Sequence, residues 1–426
     1  MTELTLDECG GPSPGRGTGS DGADSPPRRL LLAAFGDPGH AFPMIALGRR
    51  LAARGHEVTL QTWLKWERHV EAEGMAFAPA SEYQVFPTGD RPLKPYQAVV
   101  RAARESLPLL DRLRSEAVVA DILTLAPALA GEMRGVPVAT LVPHVYPHTA
   151  AGQPPYSLGA RPPRTALGRR LWLATEPLVD SGLRRGRDKL NETRRRLGLA
   201  ALPHVHNGLS RRLSLVATFP QLEYPRNWPD WTRVVGPLLW EPPAEEVELP
   251  AGDDPLVLVA PSTSQDPQHR LLRAALEGLA RLPVRVLATW NRRRPDPPVG
   301  VPGNARLVEW VSYSRTMPRC DLVVCHAGHG TVVRALACGT PVVACPVAGD
   351  MGENAARVDW AGVGVRLPRR WCTPLGVRAA VERALDDPRL VPRARALAAW
   401  AAAREGAERA ADEVERFAGT GRAPPL

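Results

Sequence analysis

The chain has almost no lysine. Lys65, Lys94 and Lys189 are the only ones among 54 basic side chains in 426 residues, so arginine carries the net charge of +9. Arginine in place of lysine, with abundant alanine, fits a GC-rich coding bias. The functional alternative is an acidic partner: a nucleotide, a nucleic acid or an anionic lipid. No basic-aromatic recognition motif accompanies the charge, which argues against nucleic acid. Long apolar runs are missing too. None reaches the ~20 residues of a membrane span, and the N-terminus lacks a basic-then-apolar leader, so a cytoplasmic protein is expected. The six cysteines include no paired C-x-x-C spacing. Cys320, Cys325, Cys338 and Cys345 fall on expected strand and helix positions, which points to free thiols in a reducing compartment rather than zinc. There is no D-x-D carboxylate pair suited to a divalent ion, and no metal ligand set is assigned.

What is present is an ordinary globular composition, 44% hydrophobic and 23% charged, in a chain long enough for two cores. Residues 1–27 are rich in Gly, Pro, Ser and Asp without apolar period and read as a disordered tail. A βα series then opens. RRLLLAAF at Arg28–Phe35 is a buried strand, Ala41–Arg54 a helix stopped by Gly55, and Glu57–Thr62 a second strand. Helices follow at Lys65–Glu73 and Tyr96–Arg114, then a strand at Ala117–Asp121, a helix at Leu125–Met133 and a strand at Val136–Val142. His144–Gly208 is Pro-, Gly- and Arg-rich around a helix at Arg184–Leu197, either a solvated face or a flap over a pocket. The first domain spans 28–240, and EPPAEEVELPAGDDP at 241–255 is a linker. A second βα series runs through 256–395, with strands at Leu256–Ala260, Val284–Thr289 and Arg306–Trp310. Ala396–Phe417 is expected as one helix within a C-terminal segment, 396–426, packing back across the first domain. The fold class is therefore α/β, two Rossmann-like βαβ domains facing across a cleft, a preferred place for ligands.

The richest stretch is Asp321–Leu367. A short apolar strand ends in His326-Ala-Gly-His-Gly330, and a helical pattern follows from Thr331 to Cys338. A strand feeding a glycine loop at a helix N-terminus offers backbone N–H groups and the positive end of the helix dipole to an anion. His326 and Thr331 flank the loop and add donors. The alternative is that Gly328 and Gly330 only make a turn. In the first domain, His40 and Asp121 each follow a strand end, so they can face one crevice although distant in sequence. His40 is then either a hydrogen-bonding loop residue or a general base near neutral pKa. Asp121 is either its carboxylate partner or a helix N-cap.

The stretch also resembles the donor-binding signature of family 1 nucleotide-sugar glycosyltransferases, most closely those of actinobacterial antibiotic pathways. That signature runs W-x-P-Q, H-x-G-x-G-T, A-x-G-x-P and P-x-x-x-D-Q. Here it is matched by Trp310-Val-Ser-Tyr313, His326–Thr331, Ala337-Cys-Gly-Thr-Pro341 and Pro346-Val-Ala-Gly-Asp350-Met351. Order and spacing agree. Ser312, Tyr313 and Met351 depart, where the family usually has Pro, Gln and Gln. Gly39-His40-x-x-Pro43 with Arg54-Gly55-His56-x-Val58-Thr59 resembles the same family's N-terminal signature.

The resemblance implies the GT-B fold from about Arg28 to Phe417. It makes His40 the base that deprotonates the acceptor and Asp121 its partner, with His144 on the acceptor wall. On the donor side it implies Ser262, Thr263 and Ser264 at the diphosphate, Trp310 and Val311 at the base, His326, Gly328, Gly330 and Thr331 around the phosphates, and Asp350 and Met351 at the sugar. No cofactor is implied; the co-substrate is a nucleotide sugar, dTDP- or UDP-linked, and the partner a natural-product acceptor, with homo-oligomers left open. A thioether is a poor partner for a hydroxyl, so Met351 suggests a deoxysugar, dTDP-linked as in the antibiotic pathways the chain resembles. The expected reaction is metal-independent inverting transfer. A sugar-nucleotide epimerase and a non-catalytic nucleotide-sugar-binding auxiliary protein are the competing readings, since fold alone does not separate them.

Overall fold

A computed structural model describes residues 26–80, 95–204, 208–262 and 266–421. Residues 1–25 of the expected tail lie outside it, as do Thr263 and Ser264.

The first half alternates β1 (Arg29–Ala33), α1 (Pro38–Ala53), β2 (Glu57–Thr62), α2 (Glu67–Ala72), β3 (Ala76–Pro79), α3 (Pro95–Leu113), β4 (Ala117–Asp121), α4 (Leu125–Met133) and β5 (Val138–Val142). Helices α5 (Ala166–Leu173) and α6 (Glu176–Arg196) precede β6 (Ser214–Val216) and β7 (Thr232–Val234). The second half runs β8 (Leu256–Ala260), α7 (Arg270–Leu279), β9 (Arg285–Thr289), β10 (Ala305–Val308), α8 (Tyr313–Thr316), β11 (Leu322–Cys325), α9 (His329–Ala337), β12 (Val342–Ala344), α10 (Met351–Ala361) and β13 (Gly364–Arg366). It closes with α11 (Pro374–Asp386), α12 (Leu390–Ala403) and α13 (Gly406–Thr420).

The strands form two sheets, ordered β3-β2-β1-β4-β5-β6-β7 and β10-β9-β8-β11-β12-β13. All described pairings are parallel. Helices cover both faces of such sheets, which is why the strands read as continuous apolar runs. Leu30, Leu31 and Leu32 are at most 2% exposed, and Leu256 to Ala260 are wholly buried. In each sheet the winding reverses once, between β1 and β4 and between β8 and β11. The crevice at such a reversal is where ligands bind in open parallel sheets.

Three expectations are corrected. Edge strands β3 and β13, of four and three residues, were not foreseen, since AFAP and GVR carry few apolar residues between glycine and proline turn signals. Helix α5 was not foreseen. Ala396–Phe417 is not one helix: the chain turns extended at Arg404 (φ −161°, ψ 129°) and restarts at Gly406, where a Cβ would overlap the Pro237 carbonyl. The break separates two burials. Leu397 of α12 packs in the second core, whereas Ala410, Ala411, Val414 and Phe417 of α13 complete the first. Arg54 ties α13 down through Glu408, Asp412 (3.0 Å) and Glu415 (2.9 Å). The C-terminal helix thus does pack back on the first half.

The segment between β5 and α5 crosses to the second half. Gly159 has φ +62°, and a Cβ there would stand 2.6 Å from the Gly352 carbonyl oxygen. Arg366 Nη1 donates to the Gly159 carbonyl at 2.5 Å, and Tyr224 donates to Ala160 O at 3.2 Å.

Candidate active site

Adjacent parallel strands β1 and β4 deliver two side chains to one crevice. Beyond β1 the chain turns at Gly36, where a Cβ would overlap Trp63, and Trp66 Nε1 donates to Gly36 O at 2.7 Å. This fixes the entry to α1, and His40 is its third residue. Asp121 ends β4. His40 Nδ1 donates to Asp121 Oδ2 at 2.8 Å, and Leu123 N–H donates to the other carboxylate oxygen at 2.9 Å. The N-cap of helix α4, Thr124, makes no side-chain cap bond, and Asp121 holds the imidazole and the turn rather than the helix end. A carboxylate accepts from Nδ1–H, which leaves the Nε2 lone pair for a proton. Burial opposes the imidazolium, but the Asp121 charge and hydrogen bond, with Asp37 and Asp350, outweigh it and raise the His40 pKa.

His144 follows β5, the next strand. Its ring lies 6.5 Å from that of His40. Nδ1 donates to Val145 O at 2.7 Å, and the Tyr156 hydroxyl stands 3.4 Å away. Burial pushes its pKa down, so it stays neutral.

Across the cleft, β11 feeds the glycine loop. Ala327 is buried with φ +62°, and Asn354 Nδ2 donates to its carbonyl at 3.0 Å. Gly328 has no room for a side chain because the His326 ring lies against its Cα. The N–H groups of His329 and Gly330 open α9 ahead of any i−4 acceptor. His326 Nδ1 donates to Ala260 O at 3.3 Å, and burial lowers its pKa. His329 is also buried. Its Nε2 meets Ala217 O of the first half at 3.3 Å, and burial, with His144 next, pushes its pKa down to about 4.

Ser262, beyond β8, is buried, as is Val311. Trp310 is half-buried, with one neighbour stacked at 5.9 Å, Tyr313, and the Arg292 guanidinium 4.9 Å from its ring. Asp350 stands at the start of α10 with no capping bond from its side chain. Its charge acts on His40, His144 and Tyr156 of the first half and on His326 and His329 of the second. Met351 packs against the apolar core of the second sheet, the alternative to reading the sugar.

Sequence reasoning passed over His329, Tyr156, Asn354 and Arg292. His329 fills a variable place inside the recognised motif, and Tyr156 sits in a stretch with no period. Arg292 is one of three successive arginines, which read only as charge. Among the described residues no group of three or more His, Cys, Asp or Glu is arranged to hold a metal ion. Cys320, Cys325, Cys338, Cys345 and Cys372 are free thiols, and no described helix is long and apolar enough to cross a membrane.

Comparison with known proteins decides the family. The chain is 30% identical to 4'-demethylrebeccamycin synthase of Lentzea aerocolonigenes, over 91% of this chain and 99% of that one. It belongs to the family 1 nucleotide-sugar glycosyltransferases. It is 31% identical to the O-mycaminosyltylonolide 6-deoxyallosyltransferase of Streptomyces fradiae, over 92% of this chain and 98% of that enzyme. Residues 273–416 match the C-terminal domain family of erythromycin biosynthesis protein CIII-like proteins. The crystal structure of the kitacinnamycin glycosyltransferase superposes with a TM-score of 0.73 at 22% identity, covering 92% of this chain and 99% of that one. The fold of this glycosyltransferase is GT-B. Membership in a transferase family sets aside the epimerase and the non-catalytic binder.

Proposed function

We propose that this glycosyltransferase acts in natural-product biosynthesis, moving a deoxysugar from dTDP to a hydroxyl of the acceptor, with inversion and without a metal ion. The carrying observation is the His40–Asp121 pair, at 2.8 Å, set at one sheet reversal opposite the α9 N-terminus at the other. The acceptor hydroxyl would give its proton to His40 Nε2, and Asp121 would hold the imidazolium that forms. The freed oxygen would attack the anomeric carbon from the face opposite the diphosphate. The leaving diphosphate would be held by the N–H groups opening α9 and by Thr331, fixed dipoles that need no reorganisation during the reaction, and by His326 once its Nε2 has taken up a proton. Asp350 would accept from a remaining sugar hydroxyl or amino group. His144 and Tyr156 would line the acceptor side, Trp310 the base. The deoxysugar donor is supported by Met351 and by the relative named for 6-deoxyallosyl transfer.

The test is transfer to a panel of polyhydroxylated aglycones from a dTDP-deoxyhexose, with EDTA throughout. The expected result is turnover that chelation leaves intact, with the anomeric configuration of the product opposite to that of the donor. Retention, or activity that EDTA abolishes and magnesium restores, overturns the mechanism.

A further inference from the structure

We propose that Arg292 is a nucleotide-binding residue, its guanidinium closing over the outer face of the nucleobase so that the base lies between Arg292 and Trp310. The inference rests on the donor-site reading of Trp310 and adds to it a side chain from a different loop.

The loop is built to aim that side chain. It leaves β9 at Thr289, on the carboxyl edge of the sheet where ligands bind. Asn291 and Arg292 are successive non-glycine residues with positive φ, +49° and +64°. Such conformations persist only where surrounding contacts over-determine them. Those contacts are present. Buried Asn291 donates from Nδ2 to Pro261 O at 2.5 Å, its N–H donates to Thr289 Oγ1 at 3.0 Å, and Tyr313 donates to its Oδ1 at 3.2 Å. Arg292 N–H then donates to Glu309 O at 3.2 Å, which fastens the loop to the segment carrying Trp310.

The result is an exposed guanidinium 4.9 Å from the centre of the Trp310 ring. Among the described residues no carboxylate pairs with it. The second stacked neighbour of the indole is Tyr313, at 5.9 Å and 21° between planes. Lifting the exposed Arg292 side chain uncovers the indole surface it lies over. A base between the two would stack on the indole with ring centroids about 4.5–7 Å apart and carry the guanidinium within about 6 Å of its own centre. The anchored backbone stays, and the flexible arginine side chain lifts and settles on the base. Planar delocalised guanidinium suits that position and a compact ammonium does not. The loop thus adds a cation–π contact with the base, distinct from any contact with the phosphates.

Calorimetry on the full-length protein tests this with dTDP and with inorganic diphosphate as probes. Arg292→Ala is expected to weaken dTDP by about 2–30-fold, the range of a cation–π contact, and to leave inorganic diphosphate unchanged. Arg292→Lys should recover less than half of the loss. Equal losses for the two probes, or full recovery with lysine, assign Arg292 to the phosphates and overturn the proposal. Trp310→Leu separates the layers. If it weakens dTDP while Arg292→Ala does not, this inference alone fails; if neither substitution affects dTDP, the donor-site reading fails with it.

Discussion

Two strand–loop–helix units of this glycosyltransferase each place a histidine at a sheet reversal, and the two histidines are given opposite chemistry. His40 donates from Nδ1 to a carboxylate and its pKa is raised. His326 donates from Nδ1 to a backbone carbonyl and its pKa is lowered. Both are fixed in the same tautomer, so geometry does not distinguish them. The partner does. A full negative charge offsets the penalty of burying an imidazolium, and a carbonyl dipole does not. One site is thereby suited to collect a proton from a neutral hydroxyl, the other to stay neutral until an anion arrives.

The sharpest break of this comparison is His40→Ala. If His40 is the base, its removal should lower kcat by about 10²–10⁴-fold and leave affinity for the nucleotide sugar nearly unchanged, because such a base acts on the acceptor's proton and not on the donor. Near-normal turnover with an active acceptor removes His40 from the mechanism.

Asp121→Asn should act more mildly and more diagnostically. Asparagine can accept from Nδ1–H only with its NH2 turned to Leu123 N–H, which loses that bond, and the charge that raises the His40 pKa is gone. The base form is the neutral one, so the rate falls as pH drops through the His40 pKa. That limb should lie above the ordinary histidine value of about 6.5 in the wild type and move to lower pH in the variant, with reduced kcat. A limb that stays in place shows that Asp121 does not set the basicity.

His326 gives the complementary pH effect. With Nδ1–H committed to Ala260 O, neutral His326 presents only a lone pair at Nε2, which cannot donate to a phosphate. Binding a diphosphate should therefore take up a proton. Affinity for a nucleotide sugar, whose diphosphate diester does not itself titrate near neutrality, should be highest below the lowered free pKa. It should fall by up to about tenfold per pH unit as pH rises, until the pKa of the complex is passed. His326→Asn should flatten the profile. A wild-type affinity independent of pH from 5 to 8 means that His326 does not bind the diphosphate through a proton.

This contrast was only half legible in the sequence. Strand–glycine–helix punctuation placed β1 and β11, short apolar runs placed β4 and β8, and parallel order then let His40 and Asp121 face one crevice. Apolar periodicity carries that much because buried parallel strands and their helices must repeat it. It carries nothing about what caps a side chain. The Ala260 carbonyl that sets the His326 tautomer is 66 residues away, and any residue could supply a carbonyl. His329 was missed for the same reason: its partner, Ala217 O, is 112 residues away in the other half. The break between α12 and α13 was invisible because both helices are alanine-rich and charged outside, while their apolar faces serve different cores.

Met351→Gln is the smallest effect and concerns the sugar rather than the two histidines. Met351 begins α10 one residue after Asp350, whose charge reaches both histidine sites, so a side chain here is placed to meet a transferred sugar lying between His40 and the diphosphate. If the thioether faces the sugar, glutamine gives a hydroxylated donor a donor–acceptor pair and deprives a deoxygenated carbon of its apolar contact. One such hydrogen bond contributes about 0.5–1.5 kcal/mol, a change of about 2–13-fold in the kcat/KM ratio of UDP-glucose to a dTDP-deoxyhexose. Measuring both UDP- and dTDP-glucose separates the sugar from the base. The packing of Met351 against the second core makes the opposite outcome specific too. A buried thioether replaced by an amide would lower Tm and leave the donor ratio where it was. A lower Tm with an unchanged ratio therefore assigns Met351 to the core and removes the residue-level support for a deoxysugar donor.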